Sequence, residues 1–400
     1  MRIKKQNINL IQFIIVMLSV MLIPSSYSIR IYFLVMSIFV LIFSYIFKLK
    51  KISISIDNAL IFLFAALNAF TGIISNSFSY SAIWFYAFIY CLICGHFLCG
   101  MPQDRLLDFL YYFFIIWLLI NVSAGYLISE RLFQTFYGLS NFNVLLFHKN
   151  GIGFSIVIAI PILMDYYYKN KKLSTLIFFF MSIFLILLSQ STASIILALF
   201  AILLGFLTNK VKVFIIKLFP LIVVLFSLFI LYSQKLVHSR LNEFFIELTG
   251  KSLELTGRVD LWIYILSMIQ EKPLLGYGYR GFWFAPEVMM ATSRQISWMK
   301  AGGHAHNGYF EVLLSTGLIG ILILAYILYR YYKYINNNLV YEKLGNYEIS
   351  LFILITFSNF FDNRLSGANI TWCLLMLIIN NARNVSKSNE AKDWVKEQKL

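Results

Sequence analysis

The sequence predicts an all-α polytopic membrane protein of about twelve transmembrane helices, with one large outer (periplasmic) loop that contains an amphipathic helix. Three observations carry this. Apolar residues make up 60% of the 400-residue chain and aromatic residues 18%, more than a soluble globule can cover with polar surface. Those residues fall in runs long enough to cross about 30 Å of hydrocarbon. The formal charge of +15 is gathered in alternate turns, as expected where lysine and arginine hold loops on the cytoplasmic side. The charge is therefore read as topology, with no nucleic-acid partner.

In order, the runs fall at 7–24, 29–47, 56–74, 79–99, 106–127, 152–167, 174–188, 192–207, 213–232, 307–329, 348–361 and 368–380. The first follows Arg2, Lys4 and Lys5 and precedes small residues up to Ser28, like a signal peptide. It is read as a retained helix, because the later charges fit that count. The fourth carries Cys91, Cys94, His96 and Cys99, which imitate a metal cluster. Inside a span with no other ligand nearby in sequence, they are read as small packing residues. With Cys373 as the one further cysteine, no disulfide framework is expected in the outer loop.

With the N-terminus inside, 21 of the 33 basic residues lie on the cytoplasmic side, including Lys169, Lys171, Lys172, Lys210, Lys212, Lys217, Arg330, Lys333 and Lys343. Short outer loops hold only Arg30, Arg131, Lys149 and Arg364. The other eight lie in residues 233–306, a length at which loops cross largely regardless of charge. Both termini of this multi-pass chain are thus expected in the cytoplasm, with one large outer loop.

Within the outer loop, Leu261, Trp262, Ile265, Leu266 and Ile269 repeat at helical spacing. They predict an amphipathic helix from Arg258 to Gln270, lying along the outer membrane face and ended by Pro273. "GYGYRG" (Gly276 to Gly281) has the letters of a dinucleotide fingerprint, but no parallel strand precedes it. Two readings stand for it: tight turns that bring backbone amides and Arg280 to a lipid head group, or simple loop flexibility.

The outer side gathers two kinds of chemically useful residue. Arginine offers a fixed fork of donors that suits phosphate, and histidine, with an ordinary pKa of about 6.5, suits proton uptake near neutrality. The candidate cations are Lys149, Arg240, Arg258, Arg280, Arg294, Lys300 and Arg364; the candidate bases are His304 and His306. A His-x-His pair also supplies two zinc ligands, but no acidic third ligand stands at a compelling spacing, so no metal or cofactor is expected.

Four stretches resemble the O-antigen ligase and polymerase family, particularly its exopolysaccharide polymerase branch. They are "HKNGIG" (His148 to Gly153), "LTGRVDLW" (Leu255 to Trp262), "EKPLLGYG" (Glu271 to Gly278) and "HAHNGYFEVLLSTGLIG" (His304 to Gly320). In the last, His306-Asn307 is followed after nine residues by Gly317-x-x-Gly320, the family's spacing. The resemblance implies a catalytic region at 146–330, after N-terminal helices at 1–145 and before C-terminal helices at 331–380 and a cytoplasmic tail at 381–400.

The resemblance also implies an undecaprenyl-diphosphate-linked glycan donor, gripped by Arg258, with His306 as the base or beside it. His304, Asn307, Arg280, Lys149 and Asn150 are the accompanying substrate-binding residues. Membrane lipids, a chain-length regulator and a flippase of the same pathway are the implied partners. One departure stands out: the family's usual basic residue in the segment "LSQSTASIIL" is here Thr192. "HKNGIG" and "TGRVDLW" tilt the reading toward a polymerase of repeat units; a ligase and a glycan flippase are the rivals.

Because Ala305 separates the histidines, an extended segment sends them to opposite sides. Only one is then expected to face substrate, and His306 is favoured. The alternative is that His306 merely caps the helix beginning near Asn307.

Overall fold

A computed structural model describes residues 55–74, 103–127, 135–136, 139–140, 149–189, 191–237, 243–244, 247, 258–284, 303–366 and 370–397. The described chain is helical apart from one two-residue antiparallel pair, β1 (Thr135–Phe136) with β2 (Leu139–Ser140). Its helices are α1 (Ile56–Ile74), α2 (Gln103–Leu127), α3 (Lys149–Asn170), α4 (Leu173–Leu188), α5 (Thr192–Phe206), α6 (Asn209–Lys217) and α7 (Phe219–Val237). They continue with α8 (Arg258–Glu271), α9 (Gly281–Phe284), α10 (Gly308–Ile335), α11 (Asn338–Tyr341), α12 (Asn346–Ser358) and α13 (Ile370–Glu397).

Every predicted span that falls on described residues meets a helix, while those at 7–24, 29–47 and 79–99, with the cysteine cluster, lie outside them. Two details differ. The span predicted at 213–232 is broken at Leu218 into α6 and α7, bent by 47°, where Pro220 has no N–H to give the ladder. Helix α13 also runs on through most of the residues assigned to the tail. By length and composition α1 and α10 are able to cross a membrane, and the bent α6–α7 pair makes up to three such spans; α4, α5 and α12 are shorter apolar helices.

Packing explains why periodicity is weak in some helices and strong in others. Helix α3 buries Val157, Ile158, Ala159, Ile160, Ile162 and Leu163 completely, so it is apolar all round and packs against α2, α4, α5 and α12. Helix α4 instead exposes Leu173, Ile177, Phe180, Phe184 and Leu187 along one stripe. Helices α5 and α7 do the same with Leu199, Leu203, Phe206, Leu221, Leu225 and Leu228. Continuous apolar stripes of this extent mark surface that meets a membrane or another apolar partner.

Hydrogen bonds gather the basic turns at one end of the helices. Asn209 donates to the carbonyls of Tyr341 and Leu344 at 2.9 and 3.2 Å. Asn346 donates to the Gly205 carbonyl at 3.0 Å, and the Lys212 ammonium to the Asn346 carbonyl at 2.9 Å. The starts of α5, α8 and α10 and the turn after α12 meet at the other end.

Candidate active site

The first turn of α10 organises this other end. Asn307, which is buried, is its cap: the Asn307 side-chain oxygen accepts from the N–H groups of Tyr309 and Phe310 at 2.9 and 3.2 Å. His306 therefore does not cap the helix. It takes a φ of 50°, a left-handed conformation that histidine tolerates better than most residues, and its N–H donates to Nδ1 of His304 at 3.2 Å. The segment is consequently not extended. The expectation that Ala305 sends the two imidazoles to opposite sides is corrected: their ring centroids are 4.0 Å apart.

Three side chains hold this loop from below. The buried Glu311 carboxylate accepts from the Ala305 N–H at 2.7 Å and from the Trp283 indole N–H at 2.8 Å. Trp262 donates its indole N–H to the Ala305 carbonyl at 2.9 Å. Trp262 lies on the apolar face of α8, which is where the sequence places a helix. That face, with Val259, Leu261 and Ile265, is buried among Ile230, Tyr277, Phe282 and Leu314. It packs on protein, against α7 and α10, where the sequence reading had it lying on the membrane.

The glycine-rich stretch before α9 also has a different use from either sequence reading. Helix α10 is interrupted at Gly317 (φ 62°, ψ −158°), and the turn from Pro273 to Gly278 pairs with the break. Tyr277 and Gly278 donate to the carbonyls of Leu314 and Ser315 at 2.6 and 3.0 Å, and Leu318 donates to the Pro273 carbonyl at 2.8 Å. A side chain at Gly317 would start 2.3 Å from Leu274 backbone, so both its φ and the space require glycine. The amides of Tyr277 and Gly278 are spent on α10 and do not line an anion site. Arg280 sits beside Gly303, at the approach to the histidines.

The turn after α12 delivers the charged partners. Asn359, fully buried, accepts on its side-chain oxygen from the N–H groups of Arg364 and Leu365 at 3.1 and 2.9 Å, while its carbonyl accepts from Gly308 at 2.8 Å. A side chain at Gly308 would start 1.8 Å from that same Asn359 oxygen, so glycine lets the turn dock on the start of α10. Docking brings Asp362 to the histidines: ligating atoms of His304, His306 and Asp362 all lie within 4.8 Å of one another. Arg364 is ion-paired to Asp362, and Arg258 donates to the Phe361 carbonyl at 3.0 Å.

The electrostatics follow from this arrangement. Burial opposes ionisation of Asp362, but the Arg364 guanidinium, both imidazoles and the Asn363 N–H outweigh it and hold the carboxyl below its ordinary range. Burial lowers the pKa of Arg258 and Arg364, and Asp362 opposes that shift in each. The three ligating residues have the spacing to hold a divalent ion, the third ligand being one that sequence spacing did not reveal. Two guanidinium groups facing Asp362 make the surroundings favour an anion instead.

Of the residues singled out from sequence, His304, His306, Asn307 and Arg258 converge here. Lys149 and Asn150 are the first residues of α3, at the same end of the molecule, and Arg280 stands at the margin. Arg240, Arg294 and Lys300 lie outside the described residues. Thr192 begins α5; the Arg364 guanidinium lies 4.1 Å from the Phe154 ring centre and shares a water-sized cavity of about 10 Å³ with the adjacent Ala193 and Ser194. Asp362, Glu311 and Asn359 were missed. Asp362 had one available signal, an acid beside an arginine in a short outer turn.

A larger cavity of about 870 Å³ begins at Asn307 and runs between α7, α10 and α12 toward Lys217, walled by groups such as Phe226, Phe310, Leu324 and Phe357.

Residues 176–325 match the family model described as O-antigen ligase. The exopolysaccharide production protein ExoQ of Rhizobium meliloti is 35% identical over 82 residues, covering 20% of this chain and 19% of that protein. A putative polysaccharide ligase of Rickettsia conorii is 26% identical over 183 residues, 45% of this chain and 43% of the relative. Another, of Rickettsia typhi, is 22% identical over 258 residues, 63% and 60% of the two chains. The chain thus spans between a fifth and three fifths of the length of these relatives. The match takes in three of the four motifs that carry the family resemblance, at 255–262, 271–278 and 304–320; the first, at 148–153, lies before it.

Proposed function

We propose, for a chain whose residues 176–325 match the O-antigen ligase family model, that it is an inner-membrane glycosyltransferase joining undecaprenyl-diphosphate-linked repeat units into a surface polysaccharide. The observation that carries this is the convergence of His304, His306, Asp362, Arg258 and Arg364 at one end of the helices, close to Asn307, where the long apolar cavity begins. The cavity suits a polyprenyl tail and the guanidinium groups its diphosphate.

In this reading His306 removes the proton from an acceptor sugar hydroxyl. The hydroxyl oxygen attacks the anomeric carbon, whose bond to the diphosphate oxygen breaks, and the electron pair leaves with undecaprenyl diphosphate. Arg258 steadies the charge that develops on that leaving group. Asp362 steadies the imidazolium that results. Residues 233–306 face the periplasm or exterior, nine further spans join the three that pass by length and composition, and a flippase and chain-length regulator act alongside.

The names of the Rickettsia relatives favour a second reading, a single transfer of finished glycan to a lipid or protein acceptor. Purified protein supplied with one lipid-linked repeat unit separates the two: a ladder of products is expected, and one transfer to an added acceptor without a ladder would establish the ligase. Lipid translocation without any new glycosidic bond would overturn both.

A further inference from the structure

We infer that Arg364 is a second diphosphate-binding cation, and that donor phosphate takes Arg364 from Asp362 and so releases the carboxylate to the imidazoles of His304 and His306. This rests on the diphosphate-donor reading above.

The argument begins with one carboxylate placed among too many partners. Asp362 is ion-paired to Arg364 and at the same time within 4.8 Å of ligating atoms on both histidines. A carboxylate has two oxygens to share, so its hold on Arg364 competes with its service to the imidazoles. Arg364 is held at both ends: its backbone N–H donates to the Asn359 side-chain oxygen, and its guanidinium lies over the Phe154 ring. It also borders the small cavity shared with Ser194, Phe361 and Asp362.

The surrounding charges decide which partner gives way. Arg258 reaches the same turn through the Phe361 carbonyl, so a diphosphate held by Arg258 is brought to Arg364. A dianionic diphosphate with several acceptor oxygens outcompetes a single carboxylate for a guanidinium fork. Asp362 then turns to the imidazoles, whose ring nitrogens lie within 4.8 Å of it. Arg280 beside Gly303 and Glu311 beneath Ala305 complete the charged groups facing the loop. The exchange couples donor binding to basicity: an imidazole beside a freed carboxylate is a stronger base than one beside a carboxylate already neutralised by arginine.

The test uses full-length purified protein and farnesyl diphosphate as the binding probe, with transfer from a lipid-linked repeat unit as the rate assay. Asp362→Asn removes the competitor for Arg364, so the probe should bind several-fold tighter while kcat falls. Arg364→Ala should weaken binding about tenfold, and Arg364→Lys, which keeps the charge and loses the fork, should weaken it less. In the wild type the acid limb of kcat, set by the donor complex, should lie above that of kcat/KM, set by the free enzyme. Asp362→Asn should narrow that gap by about one pH unit.

A merely structural ion pair predicts the opposite pattern: Asp362→Asn would weaken probe binding as Arg364→Ala does, and the gap would stay unchanged. Either result overturns the exchange. Equal probe binding by wild type and both Arg364 variants overturns it while leaving the diphosphate reading intact. Failure of the wild type to bind the probe removes both.

Discussion

Glu311→Gln changes one atom in a position that touches no substrate, and the geometry sets what it should cost. Both carboxylate oxygens accept a buried N–H, one from Ala305 at 2.7 Å and one from Trp283 at 2.8 Å. Glutamine has a single oxygen, so one of those donors must face an amide NH₂. A buried donor left without its acceptor costs about 1–3 kcal/mol, which at 1.4 kcal/mol per factor of ten lowers the ratio of ordered to disordered His304–His306 loop by roughly 5- to 150-fold and sets that as the largest loss of rate. The rate constant should fall, by no more than that factor.

Binding of a prenyl diphosphate should change far less, because Arg258 and Arg364 are anchored through Phe361 and Asn359, independently of Glu311. The assay is kcat and probe affinity measured side by side on protein of matched abundance. Wild-type kcat in a folded Glu311→Gln protein would refute the idea that this carboxylate positions the histidine loop. Equal losses in rate and binding would show that the whole site had collapsed.

Three further outcomes are expected. His306→Ala should lower the transfer rate by roughly 10² to 10⁴, the range for losing a general base; His306→Asn should not restore it, since Asn307 already caps α10, and full rescue would end the catalytic role. Gly308→Ala places a carbon 1.8 Å from the Asn359 oxygen, so it should lower the midpoint of thermal unfolding and displace Asp362; an unchanged midpoint with full activity would show that the turn docks some other way. Single cysteines in a background lacking the native four should react with an impermeant reagent in intact cells in the outer loop and not at Lys169–Lys172. Labelling in the reverse pattern would invert the topology.

What the sequence determined by itself is what depends on composition and short-range period. Among the described residues, helix positions follow from run length. Helix α8 follows from the spacing of Leu261, Trp262 and Ile265, because that signal is written within one or two helical turns, whereas the break in α10 at Gly317 appears only in the structure. The tertiary structure decided everything that depends on which helix ends meet. Asp362 reaches the histidines only because Gly308 leaves room for Asn359. The two imidazoles share a side because Glu311 and Trp262 hold Ala305 between them and His306 turns left-handed. Neither arrangement has a signature along the chain: a hydrogen bond or close contact between residues far apart in sequence depends on packing in three dimensions, which no local spacing records.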